Sequence, residues 1–148
     1  MADDETTVAD ADAAAERKHR RIRFVQRYLL NPPVKAATWL GLTPGLVLVE
    51  TTGRRSGRRR RNVVGMLVEG DTGWVVSEHG RRAGYVRNIE DHPAVRVRRR
   101  RRWHDAHATA LPDDDPMARL ATFHRPSHEA AVKRFGTDPL TVRFDLAP

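Results

Sequence analysis

The chain has 148 residues, close to the ~150 typical of one domain, with 39% hydrophobic and 31% charged residues, 10 Gly and 9 Pro. That supply of apolar side chains excludes wholesale disorder, no apolar run approaches the ~18 residues of a membrane-spanning helix, and the absence of cysteine excludes disulfide scaffolds, thiolate metal sites and cysteine nucleophiles. The net charge of +8 becomes +14 over residues 17–148, because residues 1–16 hold six acids and no Lys or Arg; a field of that sign concentrates nucleic acid, acidic lipid or a phosphorylated small molecule.

Residues 1–16 are Ala-rich and acidic with no apolar periodicity, and read as a disordered tail ahead of one domain over 17–148. Asp3, Asp4 and Glu5 stand where a secretory signal would carry positive charge, so a cytoplasmic location is expected. From Arg17 to Leu30, Ile22, Val25 and Leu29 recur at helical spacing among six basic residues. This predicts a basic amphipathic helix, suited either to lie near the anionic part of a bound ligand or to peripheral contact of residues 17–30 with the anionic inner face of the plasma membrane. Asn31-Pro32-Pro33 ends it, and a short helix over Val34 to Leu40 precedes the turn at Thr43-Pro44-Gly45.

The middle of the chain reads as strands at Leu46 to Thr52, Arg61 to Val68 and Trp74 to Ser77, separated by glycine-bounded turns. A short helix around Tyr85 to Glu90 follows. Val95 and Val97 then alternate with arginines into a hairpin, with Trp103 to Ala110 returning. Asp113-Asp-Asp-Pro116 caps a helix from Met117 to His124. A further helix runs from Pro126-Ser127 to Gly136, and Leu140 to Leu146 is the last strand. About six short antiparallel strands with helices at the ends predict a mainly β, α+β architecture, an antiparallel barrel or curled sheet.

The most informative stretch is Thr51 to Asn62, which places six arginines between positions 54 and 61. Two glycines, Gly53 and Gly57, let the backbone turn tightly so that consecutive amides can converge on one anion. Ser56 adds a hydroxyl, and Arg54, Arg55 and Arg60 add forks matched to phosphate or carboxylate. The plain alternative is a solvated basic loop, since charge runs are often simply exposed. The second run, Arg98 to Arg102, reads as a solvated hairpin tip: a nucleic-acid platform needs interleaved aromatics, and only Trp103 is near. Histidine spacing supports no metal site, because His104 and His107 fall on opposite faces of a strand and Pro126 separates His124 from His128.

Taken together, Thr51-Thr-Gly-Arg-Arg-Ser-Gly57 with Arg60, the strand ending Ser77-Glu-His-Gly80, Arg81 to Ile89 and His92 to Val97 resemble the deazaflavin (coenzyme F420)-dependent oxidoreductases of the nitroreductase, or F420H2-dependent quinone reductase, family. The resemblance spans roughly residues 18–146. It implies a split β-barrel of the flavin-reductase, FMN-binding kind, using coenzyme F420, an 8-hydroxy-5-deazaflavin with a phosphate and polyglutamate tail, with FMN as the alternative. By family position, Arg54, Arg55, Ser56, Gly57 and Arg60 hold the phosphate and the start of the tail. Asn62, Val63, Val64 and Gly65, with Ser77, Glu78, His79 and Gly80, flank the ring, and Val86, Arg87 and Asn88 close the site. Ser77 and Tyr85 are the candidates for hydrogen-bonding the acceptor oxygen during hydride transfer from reduced coenzyme F420 to a quinone-like or other conjugated carbonyl or nitro acceptor.

Where the family has Pro-Leu or Pro-Val this chain has Val63-Val64, and Arg125 to Ala131 lacks the tyrosines of members active on bulky nitro compounds. A quinone-type acceptor therefore fits better than a nitro prodrug. The rivals are a deazaflavin carrier without turnover and a nucleic-acid-binding module. The expected partner is a small-molecule acceptor rather than a specific nucleic acid, and the expected state a monomer or weak dimer.

Overall fold

A computed structural model describes residues 31–148. The acidic tail expected over 1–16 and the amphipathic helix expected over 17–30 lie outside the described residues. Two units are distinguished, residues 1–36 and residues 37–148; the fold below is that of the second. Helix α1, Asn31–Trp39, begins before the expected Val34. Pro32 and Pro33 sit in its first turn, where an amide has no intrahelical partner and proline loses nothing.

The body is one seven-stranded antiparallel sheet, with α2, α3 and α4 packed on it. The strands are β1 (Leu46–Thr52), β2 (Arg59–Gly65), β3 (Leu67–Glu69), β4 (Thr72–Ser77), β5 (Ala94–Arg99), β6 (Arg102–Leu111) and β7 (Leu140–Leu146). Helix α2 (Gly84–Asp91) follows β4 after a 3-10 turn at Gly80–Arg82, while α3 (Pro116–Ala121) and α4 (Pro126–Phe135) lie between β6 and β7. The order across the sheet is β2-β1-β5-β6-β7-β4-β3.

That order explains the curl. β2 and β3 are opposite edges of the sheet yet are separated in sequence only by Met66, so the sheet must bend round until its edges approach. The single strand expected over Arg61 to Val68 is thus two strands around a corner. Met66 is 3% exposed there, its amide donates to the Gly45 carbonyl at 3.0 Å, and its sulfur fills the space left by the missing side chain of Gly73. A strand-to-strand corner buried against glycine has no local sequence signature, which is why it reads as a continuous run.

Alternation along the strands sends Val47, Val49, Val75, Val97, Val142 and Phe144 into one core, closed by Val86 and Ile89 of α2. A smaller cluster of Val76, Leu120, Phe123 and Val132 seats α3 and α4 on the other face of β4. Phe144, at 0% exposure, is the largest fully buried side chain; truncating such a residue to alanine costs ~3–5 kcal/mol. Asp115 caps α3 by accepting from the amides of Met117 and Ala118, with Pro116 in the first turn, as the Asp-Pro sequence predicts.

Candidate functional site

The register of β1 with β2 sorts the arginine run into two sets. Arg60 lies opposite Thr51, Asn62 opposite Val49 and Val64 opposite Val47, so these share the face of the main core. Arg59 and Arg61 lie opposite Thr52 and Glu50 and point to the other face. There Glu50, 4% exposed, accepts from Arg59 at 2.8 Å, from Arg61 at 2.9 Å and from Arg96 at 2.6 Å. Burial opposes the charge on Glu50, but the hydrogen bonds from Arg61, Arg96 and Arg59 outweigh it and hold the carboxyl below its usual range. Two of the six arginines of the run, Arg59 and Arg61, are therefore committed to neutralising one buried acid.

The turn between β1 and β2 is closed on itself. Gly53 donates to the Arg58 carbonyl at 2.7 Å, Gly57 to the Gly53 carbonyl at 2.8 Å, and the Arg58 amide to the Ser56 hydroxyl at 3.3 Å. Gly57 has φ 67°, a backbone region that favours glycine. Of the consecutive amides expected to converge on an anion, those of Arg55 and Ser56 are left over, while Gly53, Arg54, Gly57 and Arg58 have partners. Gly53, Gly57 and Arg58 spend their amides within the turn, because the six-residue reversal over 53–58 needs them to hold its shape. The exposed guanidinium groups near the turn that Glu50 does not hold are those of Arg55, Arg58 and Arg60.

Asn88 ties this turn to α2. Its side-chain oxygen accepts from the Arg54 amide at 3.2 Å and from Arg54 Nη1 at 3.4 Å, while its Nδ2 donates to the Thr51 hydroxyl at 3.1 Å. The residue is 6% exposed, so its polar groups are spent on positioning the turn. Val86 is 0% exposed and packs into the core. Arg87 is exposed and donates to the Arg81 carbonyl at 2.7 Å.

Three residues before Asn88, and so on the same face of α2 roughly 4.5 Å along its axis, Tyr85 lines a cavity of about 280 Å³. Val63, Val64, Val75 and Val76 give it apolar walls, and Gly65, Ser77, Glu78, His79 and His128 complete it. Seven of the residues named from the sequence therefore converge here, on β2, β4 and the start of α2: Val63, Val64, Gly65, Ser77, Glu78, His79 and Tyr85. Gly80 is buried beside them at φ 51°, its carbonyl accepting from the Ser77 hydroxyl at 3.3 Å. A side chain at Gly80 would collide with the Asp138 carbonyl, so glycine is required there.

The polar groups of the cavity have distinct states. Burial pushes the Tyr85 phenol up, a hydrogen bond with Ser77 works against that, and the Glu78 charge adds to the rise. Tyr85 is accordingly a neutral O–H donor at neutral pH. Ser77 is 2% exposed with its own proton directed to the Gly80 carbonyl, so Tyr85 is the better placed of the two to meet a ligand oxygen.

His128 was missed by sequence reasoning. It sits in the first turn of α4, and a side chain on Gly65 would lie 2.9 Å from its ring. The helix start at Pro126-Ser127 was the available signal, but nothing local says that this turn folds over β2.

The arrangement is an apolar cavity rimmed by hydroxyl and imidazole groups, with guanidinium groups at the far end of the same strand. From Val64 to Arg60 is four residues of β2, about 13 Å at the usual rise. A molecule held at both places has a flat apolar portion and an anionic portion separated by a linker. Among the described residues no cluster of His, Asp and Glu has the makings of a metal site.

The sequence matches no curated protein. Among solved structures, the chain is similar to an F420-H2 dependent reductase, FDR-A, at 21% identity and TM-score 0.54, covering 70% of this chain and 95% of that one. It is similar to HutZ, a heme storage protein from Vibrio cholerae, at 15% identity and TM-score 0.53, covering 80% and 91%. It is also similar to a chain described as a domain-swapped dimer, at 19% identity and TM-score 0.54, covering 93% and 99%. At these identities the likeness shows the fold, a split β-barrel. The model of the F420H(2)-dependent quinone reductase family matches residues 10–147, nearly the whole chain. That match and the curled seven-stranded sheet point the same way, and the chain belongs to the F420H(2)-dependent quinone reductase family.

Proposed function

We propose that the protein binds reduced coenzyme F420 along β2 and passes a hydride to a quinone-like acceptor. The observation that carries this reading is the pairing of the cavity at Val63–Gly65 with Arg54, Arg55 and Arg60 at the other end of one strand. A deazaflavin with a phosphate and an acidic tail has that polarity. The residues present suit it: apolar walls for a ring, and exposed guanidinium groups for the anion.

When bound, the coenzyme supplies the hydride, and its carbon-centred chemistry disfavours one-electron transfer. The chain's own task is position and exclusion of water. Val63, Val64, Val75 and Val76 keep the cavity dry, Asn88 fixes the arginine turn against α2, and Tyr85 donates to the acceptor oxygen as charge develops there.

A second reading, a deazaflavin carrier without turnover, is favoured by the Ser77 proton being committed to the Gly80 carbonyl, which leaves few free donors in the cavity. Fluorescence titration of the full chain with coenzyme F420 and with FMN tests binding. Oxidation of the reduced coenzyme by a panel of quinones then tests turnover. Arg60→Ala is expected to raise the Kd for coenzyme F420 about 10-fold or more, as loss of a charge-assisted hydrogen bond does, while Arg99→Ala leaves it unchanged. Equal effects at both positions, or a preference for FMN, overturn the reading. Tight binding with no oxidation by any quinone selects the carrier.

A further inference from the structure

Two segments distant in sequence meet beside α1: the loop that follows this helix and the β5–β6 hairpin. The end of α1 and the loop expose Trp39 (37%), Leu40 (48%) and Leu42 (69%), and the other two large apolar residues exposed among the described ones are Val34 and Phe135. The hairpin brings Arg98 to Arg102 alongside. Arg98 donates to the Trp39 carbonyl at 3.1 Å and lies 3.9 Å above its ring, and the space a Gly41 side chain would take is bounded by Arg101 at 3.2 Å. Trp39 in turn meets Trp103 edge-on, with ring centroids 5.9 Å apart.

The conformation of the hairpin tip is informative. Arg100 and Arg101 have φ of 47° and 70°, closed by the pair Arg99 and Arg102. Such a two-residue turn favours Asn-Gly, and side chains beyond glycine are strained there. Backbone strain of this kind persists where the side chains are wanted for something else. Among the described residues no carboxylate pairs with any of Arg98 to Arg102. Between loop and hairpin lies a cavity of about 400 Å³, lined by Arg98, Arg99, Arg100 and Arg125 and, on its apolar side, by Val47, Met66 and Val68.

We propose that this face docks on an anionic lipid bilayer. Leu40 and Leu42 enter the interface, Trp39 lies at headgroup depth, and the arginine tip holds lipid phosphates. The cavity beneath, cationic on one side and apolar on the other, receives a headgroup and the first acyl carbons. A nucleic acid fits less well, since Trp39 and Trp103 meet edge-on and arginines cover their faces, which leaves no free platform. A second copy of the chain would set like charges against one another.

Co-sedimentation of the full chain with vesicles tests this, using phosphatidylcholine alone and with about a third phosphatidylglycerol. The chain is expected to bind the anionic vesicles only. The double variant Arg100→Asn, Arg101→Gly installs the residues this turn prefers, so its Tm should hold or rise. Its vesicle partitioning should fall about 30-fold, the loss expected for two headgroup contacts. Leu42→Asn, at an exposed position, should weaken binding about 10-fold, and coenzyme affinity should not change in either variant. Wild-type binding by the double variant, equal binding to neutral and anionic vesicles, or binding to duplex DNA in preference to vesicles overturns the proposal.

Discussion

Glu50 and Asn88 are single buried polar residues on which many neighbours depend. Replacing Glu50 by Gln leaves Arg59, Arg61 and Arg96 facing one another without their shared anion. The three guanidinium groups are 65%, 48% and 35% exposed and water takes over part of the lost pairing, so a denaturant midpoint should record a loss of about 1–3 kcal/mol. Because the folded carboxyl titrates below its unfolded value, its contribution is complete above about pH 4.3 and drains away as the pH falls further. In Glu50→Gln that segment of the acid-unfolding profile should flatten. Asn88→Ala strands the Thr51 hydroxyl and the Arg54 amide, each of which costs ~1–3 kcal/mol when buried without a partner. Its Tm should fall and its coenzyme affinity should weaken, since the arginine turn loses its anchor. Sequence reading flagged Asn88 only through family position. Glu50 was invisible in an apolar strand, because its partners come from β2 and β5.

At the level of elements, the strands and helices were legible wherever local chemistry fixes them: the alternation of β5 and β7, the Asp-Pro cap of α3, the glycine-bounded turn at Gly53 to Gly57. The corner at Met66 and the fold of α4 over β2 were not, because both depend on residues distant in sequence meeting. The contact between Gly65 and His128 is the sharpest case. A methyl group at position 65 would force the imidazole out of its place, and overpacking of this kind typically costs ~1–3 kcal/mol. Gly65→Ala should therefore shrink the cavity and weaken coenzyme binding more than it lowers Tm. Parallel titration and thermal unfolding of the one variant distinguish the two effects.

At the level of the whole molecule, the basic excess was plain from composition, but its division was not. Arginines that look alike in sequence serve a buried acid, a turn at the end of β2 away from the cavity, and a separate hairpin tip. The exposed set near Arg55 and Arg60 attracts its ligand through water, so raising ionic strength from about 0.1 M to 1 M, where the Debye length falls from ~10 Å to ~3 Å, should weaken coenzyme binding several-fold. Salt-insensitive affinity would assign the binding to the apolar cavity instead. The pleat of β2 has one more consequence. Inserting or deleting a single residue between Gly53 and Arg59 would rotate the strand by half a turn, presenting Arg59 and Arg61 to the cavity side and leaving Glu50 opposite Arg60 after an insertion or Asn62 after a deletion. Natural variants of this bend should accordingly differ in length by two residues rather than one, a spacing rule that engineered loop grafts can put to trial.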